Sequence, residues 1–217
     1  GKRCESVVSE GGLTHFTREN APAGAPPFCL DGCPAEKTCP FFAPAFYLRQ
    51  VQQVGWPSNT IAVDDSYVSR LEALKTGRYG RCVYQTDNNV NDHQSAIFNL
   101  EGGATATFNM TGFSSENTRI LRIYGTRGDL AGHLDKNEII HGDHLAGTRE
   151  VVEYDTAPSI QSGHGGGDAR LFKDFVRTLR GERTDNRSSA RLSLESHLMA
   201  FAAEESAASG DRITLTH

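Results

Sequence analysis

The 217-residue sequence contains no apolar run of membrane-spanning length. Its opening, Gly-Lys-Arg-Cys-Glu, lacks the form of a secretory leader, although a processed mature chain would look the same. It has no strand–GxGxxG–helix unit, no GxxxxGK[ST], no GxSxG and no HExxH. Those absences exclude a dinucleotide fingerprint, a P-loop, a nucleophile elbow and a helical zinc-protease motif. An excess of basic charge is lacking too: 22 Lys and Arg face 27 Asp and Glu, for a net charge of −5. Nucleic acid and anionic membrane surfaces are therefore disfavoured as partners. Five cysteines is an odd number, and three of them crowd into Cys29, Cys33 and Cys39. That usage fits a reduced, cytoplasmic protein better than a disulfide framework. With no internal repeat and no long linker, residues 1–217 are expected to form a single domain.

What is present is organised around Tyr79 to Leu134. Ala96, Phe98 and Leu100 alternate with Ser95, Ile97 and Asn99, and after Glu101-Gly102-Gly103 the alternation resumes through Ala104, Ala106, Phe108 and Met110. Period 2 on both sides of a Gly-Gly turn predicts a β-hairpin. Ile120–Tyr124 and Asp129–Ala131 follow across Gly125-Thr126-Arg127-Gly128, which predicts a meander of at least four strands, with one small or polar face. Asn137–His141 and Glu150–Tyr154 predict two more strands, and Ile213–Leu215 a closing one. Helices are predicted from Pro44 to about Val54, over Ser66–Thr76 behind an Asp64 or Asp65 cap, from an Asp168 cap to Gly181, and over Ala190–Ser209. Helices at both ends with strands between them predict an α+β fold.

Three constellations could carry chemistry. Cys29-x3-Cys33-x5-Cys39 offers thiolates to Zn²⁺, with Cys82 or His15 as a fourth ligand; the open alternative is buried thiols or one disulfide. Asp87 to Gln94, at the entry to the hairpin, is almost wholly polar. There Asp92 beside His93 either forms a carboxylate–imidazole pair or belongs to a solvated loop. Gly163 to Asp168 places His164 and Asp168 before a helix whose N-terminus could hold an anion or a substrate hydroxyl; the alternative is a hinge with an Asp cap. His141 and His144 lie in a polar loop, where exposure is the plainer reading than metal binding.

The segments RYGRCVYQTDNNVNDHQ, FNLEGGATATFNMTGF, RIYGTRGDLAGHL, HGGGD and ESHLMAFAAEESAASGDRITL, in this order and spacing, resemble the C-terminal domain of the Gfo/Idh/MocA oxidoreductases. The resemblance implies a mostly antiparallel open sheet with helices on one face, the other face making a subunit contact. The sequence departs from the family pattern in one respect: no Rossmann domain is expected within these 217 residues. NAD or NADP would be held by a separate N-terminal domain, and the substrate between the two. The resemblance also implies hydride transfer at a hydroxyl-bearing carbon of a sugar, polyol or related molecule, with the isolated C-terminal piece inactive. Asp92, His93, His164 and Asp168 are then expected to hold substrate, and no residue here is assigned as catalytic. Two other readings stand beside this one: the same domain of an NAD-dependent glycoside-cleaving enzyme, and a non-enzymatic module stabilised by zinc at Cys29, Cys33 and Cys39.

Overall fold

A computed structural model describes residues 2–48, 57–152, 167–182 and 189–216. It is α+β, with two four-stranded antiparallel sheets in the orders β3-β2-β1-β8 and β4-β5-β6-β7. The strands are β1 (Cys4–Gly12), β2 (His93–Leu100), β3 (Ala104–Thr111), β4 (Ile120–Tyr124), β5 (Gly128–His133), β6 (Glu138–Asp143), β7 (Thr148–Val151) and β8 (Ile213–Thr214). The helices are α1 (Ala43–Tyr47), α2 (Tyr67–Thr76), α3 (Gly167–Leu179) and α4 (Ala190–Ser209). The chain divides into two compact units, Gly1–Phe113 with Leu198–His217, and Ser114–His197.

In the first unit the predicted hairpin forms in register, with Ala96 opposite Phe108 and Phe98 opposite Ala106. Residues directly opposite share a face, so Ala96 and Phe98 turn inward with Val7 of β1. That inner face packs on Ala202 and Ala203 of α4, joined by Cys4, Met199 and Ile213. Complete burial of a side chain such as Val7 contributes about 1.5–3 kcal/mol. On the outer face small polar side chains bond to one another: Asn99 Nδ2 donates to Ser6 Oγ at 3.1 Å, and Ser95 Oγ to Asn109 Oδ1 at 2.8 Å. The edge of β1 beyond the short β8 would leave Ser9 N–H buried and unpaired. Ser206 of α4 meets that need by accepting it at 2.9 Å while donating to the Asp211 carbonyl at 2.6 Å.

A second small core gathers Cys29, Phe42, Ala43, Leu48 and Leu74 under α1 and α2. Pro44 opens α1 where its missing N–H costs nothing. The expected continuation of this helix to Val54 falls beyond Leu48, outside the described residues. Helix α2 is capped by Ser66, whose Oγ accepts Ser69 N–H at 3.2 Å. Neither predicted cap, Asp64 or Asp65, takes that place: Asp64 accepts from Ser66 itself, at 3.0 Å from its N and 2.8 Å from its Oγ, and Asp65 lies against Arg70. Arg70 is buried here, 3.5 Å from Asp65 and donating to the Tyr47 carbonyl at 2.9 Å. At Gly80 an added Cβ would lie 1.7 Å from the Leu74 carbonyl oxygen, so only glycine permits this approach.

The predicted single meander is split. Strands β3 and β4 belong to different sheets, because residues 112–119 leave the hairpin in turns built by Thr111 and Ser114, which accept Phe113 N–H and Glu116 N–H. In the second unit, β4 to β7 form a complete up-and-down ladder. Helix α3 begins at Gly167, so Asp168 sits within its first turn and not at the expected cap. Among the described residues no helix is long and apolar enough to cross a membrane.

Candidate functional site

Asp92 is the last residue before β2, and every polar atom it owns is engaged. Its N–H donates to the Gly12 carbonyl at 2.9 Å, and its carbonyl accepts Gly112 N–H at 2.7 Å. Its carboxylate accepts the backbone N–H groups of Thr14, His15 and Phe16 at 3.0, 2.7 and 3.3 Å. Its other oxygen lies 2.8 Å from His93 Nδ1. Burial works to raise the pKa of Asp92, but the hydrogen bonds from His93, His15, Phe16 and Thr14 outweigh it and hold the carboxyl well below the usual carboxylate range. An ionised acceptor at this position requires a proton on His93 Nδ1. The His93 side chain is 45% exposed.

The carboxylate–imidazole pair expected from the sequence is therefore formed, with unequal partners. Asp92 is buried and fully used, so it positions its neighbours, while His93 faces solvent. Its register partner on β1 is Gly12, where an added Cβ would meet nothing within 4 Å.

The same carboxylate fixes the loop after β1. From the opposite side, Asn20 Nδ2 donates to the carbonyls of Thr14 at 2.7 Å and His15 at 3.1 Å. The loop presents His15 edge-on to Phe16, Phe41, Tyr84 and Phe113, with ring centroids 5.1, 5.6, 5.4 and 5.3 Å away. His15 Nε2 lies 3.1 Å from the Tyr84 hydroxyl. Burial pushes the Tyr84 phenol up, with Cys39 and Cys82 nearby adding to the effect. From the sequence, His15 stands only as a possible fourth ligand to zinc. The missed signal is Thr14-His15-Phe16 followed by Asn20, a polar and aromatic cluster directly after Gly11-Gly12.

His164 lies outside the described residues. Asp168 is exposed on α3, in the second unit. Cys29, Cys33, Cys39 and Cys82 are free thiols. Cys29 packs in the apolar cluster with Phe42 and Leu74, and Cys33 and Cys39 lie against it. Burial pushes the Cys29 thiol up, which favours the neutral form over the thiolate a metal needs. Among the described residues no three His, Cys, Asp or Glu side chains are arranged to hold a metal, so Cys29, Cys33 and Cys39 do not fit zinc in this arrangement. His141 and His144 point to different acids, Glu150 at 4.0 Å and Asp129 at 3.8 Å.

No protein-family model and no curated protein matches the sequence. Solved structures do match in fold. A proposed oxidoreductase from Thermotoga maritima superposes over 99% of this chain and 42% of its own, with a TM-score of 0.51 and 14% identity. Levoglucosan dehydrogenase, in complex with NADH and levoglucosan, superposes over 59% of this chain and 39% of its own, with a TM-score of 0.50 and 18% identity. This chain thus spans about two fifths of the length of the structures it matches. At these identities the likeness is one of fold: the antiparallel α+β architecture of this chain is shared with part of these oxidoreductase structures.

Proposed function

We propose that this chain is the substrate-binding and oligomerisation domain of a cytoplasmic NAD(P)-dependent oxidoreductase acting on a sugar, polyol or related hydroxylated small molecule. The observation that carries the reading is the Asp92–His93 pair. A buried ionised carboxylate fixes one ring nitrogen at 2.8 Å, and the His93 side chain is 45% exposed, so the ring can meet a ligand from solvent. An imidazole fixed in orientation can hydrogen-bond a substrate hydroxyl without reorganising, which suits an alcohol ligand. His164 and Asp168 are proposed as further substrate contacts.

The nicotinamide cofactor would serve as hydride acceptor. The sequence carries no glycine motif for a dinucleotide, so its binding is assigned to an N-terminal domain of the parent enzyme. Residues 1–217 then act as one functional domain, inactive alone, and the small polar outer face of β1, β2 and β3 is the surface proposed for self-association. The zinc-module reading is disfavoured by the cysteine arrangement described above.

Turnover tests the reading. With its natural upstream sequence restored, the protein should reduce NAD⁺ or NADP⁺ in the presence of one of a panel of sugars and polyols, and the 217 residues alone should not. Reduction of the cofactor by the 217 residues alone would overturn the division of labour. NAD-dependent release of nitrophenol from an aryl glycoside, without net cofactor reduction, would place the parent among glycoside-cleaving enzymes instead.

A further inference from the structure

We propose that His15, held by Tyr84, is a second ligand-binding residue of the Asp92–His93 site, so that two imidazoles grip two hydroxyls of one sugar or polyol. The inference deepens the function proposed above and rests on it for the class of ligand.

Three observations carry it. The first is the rigidity of the loop after β1. Asp92 receives three consecutive backbone N–H groups, of Thr14, His15 and Phe16, and Asn20 donates to the carbonyls of Thr14 and His15 and to Thr17 Oγ1 at 3.3 Å. A surface loop satisfies such groups with water at no structural cost. Committing two side chains to them fixes where His15 stands, as a binding residue requires.

The second is the matched state of the two rings. His15 has Nε2 engaged by Tyr84 at 3.1 Å, and its Nδ1 has no hydrogen-bond partner among the described residues. His93 has Nδ1 engaged by Asp92 at 2.8 Å, and its Nε2 likewise has no partner among the described residues. Each imidazole is thus oriented through one nitrogen and offers the other. One carboxylate ties them together, since Asp92 contacts the His15 backbone at 2.7 Å and the His93 ring at 2.8 Å.

The third is the surrounding chemistry. A hydroxyl both donates and accepts, so it pairs with His15 Nδ1 and with His93 Nε2 whether or not either nitrogen carries a proton. Phe113 is 48% exposed and touches His15 at a ring-centroid distance of 5.3 Å, which offers an aromatic surface to the C–H groups of a sugar or polyol. A metal ion is the other ligand that two imidazoles suggest. No third His, Cys, Asp or Glu joins them in a metal-binding group among the described residues.

The test is histidine-ring NMR on ¹⁵N-labelled protein, titrated with levoglucosan, myo-inositol and D-glucose. It is run on the 217 residues and on the chain with its natural upstream sequence and bound NADH. The ring signals of His15 and His93 are expected to move together, with one dissociation constant, for at least one of these probes. Tyr84→Phe keeps the ring and removes only the hydroxyl. It is expected to weaken that binding about three- to tenfold, the equivalent of one hydrogen bond, with the β2 amide spectrum unchanged. His15→Ala is expected to weaken it at least as much. If only the His93 ring moves and His15→Ala binds normally, the inference fails and the hydroxyl-binding role of His93 stands. If neither ring moves with any probe in either form of the protein, the ligand class fails and the inference with it.

Discussion

In the unit built from Gly1–Phe113 and Leu198–His217, Val7 and Leu74 are completely buried, and the buried Asp92, Ser206 and Arg70 all have partners. In the unit Ser114–His197, every residue of β4 and β7 is exposed, and Tyr124 reaches 80%. Both units carry a regular four-stranded antiparallel sheet. Strand pairing alone therefore does not distinguish them. What distinguishes the first is long-range side-chain commitment: Asp92 to residues 14–16, Ser206 to Ser9, Asn91 to Glu204 at 2.9 Å. Such contacts set side chains in single geometries, and the candidate site lies where they are densest. The second unit has hydrogen-bonded ladders, and its large side chains in β4 stay uncovered in this chain.

The contrast can be broken most severely at Asp92. Asp92→Ala leaves three backbone N–H groups without their acceptor and should cost the first unit about 3–5 kcal/mol. Leu74→Ala should cost about 2–5 kcal/mol by emptying the small core under α2. Amide hydrogen exchange reads each unit separately. Protection should fall across β1 and β2 in the Asp92 variant, while β5 and β6 keep theirs. Equal loss in both sheets would mean that the two units unfold as one.

Acid should act in the same direction as the Asp92 substitution. The folded pKa of Asp92 lies below its unfolded value of about 3.9, so its carboxylate stabilises the folded form above that pH. The contribution is lost progressively as pH falls below about 4, towards the lower folded value. Asp143 in the second unit is also held below the usual range, by the N–H groups of Ala146 and Leu145, but in an exposed turn where the effect on stability is small. Denaturant unfolding between pH 5 and pH 2 should show the first unit losing stability more steeply than the second. An Asp92→Asn chain should flatten that difference.

Smaller changes sharpen the comparison. Tyr84→Phe should cost about 1 kcal/mol, because the lost partner of His15 is replaced by no other. Ile123→Ala, on an exposed position of β4, should change stability by no more than about 0.5 kcal/mol. A loss of about 2 kcal/mol or more from Ile123→Ala, measured by chemical denaturation, would show that this face is covered in solution.

Much of this was legible in the sequence, and the pattern of success is physical. The β2–β3 hairpin and α4 were readable because alternation across Gly102-Gly103 and the Gly210 stop are local signals. The division into two sheets was not, since the turns at Thr111 and Ser114 decide it and their residues suit either outcome. At the site, the pairing of Asp92 with His93 was visible because the two are adjacent. The grip of Asp92 on residues 14–16 was not, because 76–78 positions separate the partners. Hydroxyl and carboxylate partners chosen over such distances leave no periodic trace. His15 and Tyr84 were missed for the same reason, being 69 positions apart.

The central claim is that these residues hold substrate and leave the nucleotide to another domain. Calorimetric titration of NADH and NADPH, into the 217 residues and into the chain with its natural upstream sequence, tests it most directly. The account predicts binding by the longer chain only. Tight binding of either nucleotide by the 217 residues alone would contradict it and would move attention to the Gly163 to Asp168 segment as the place to mutate.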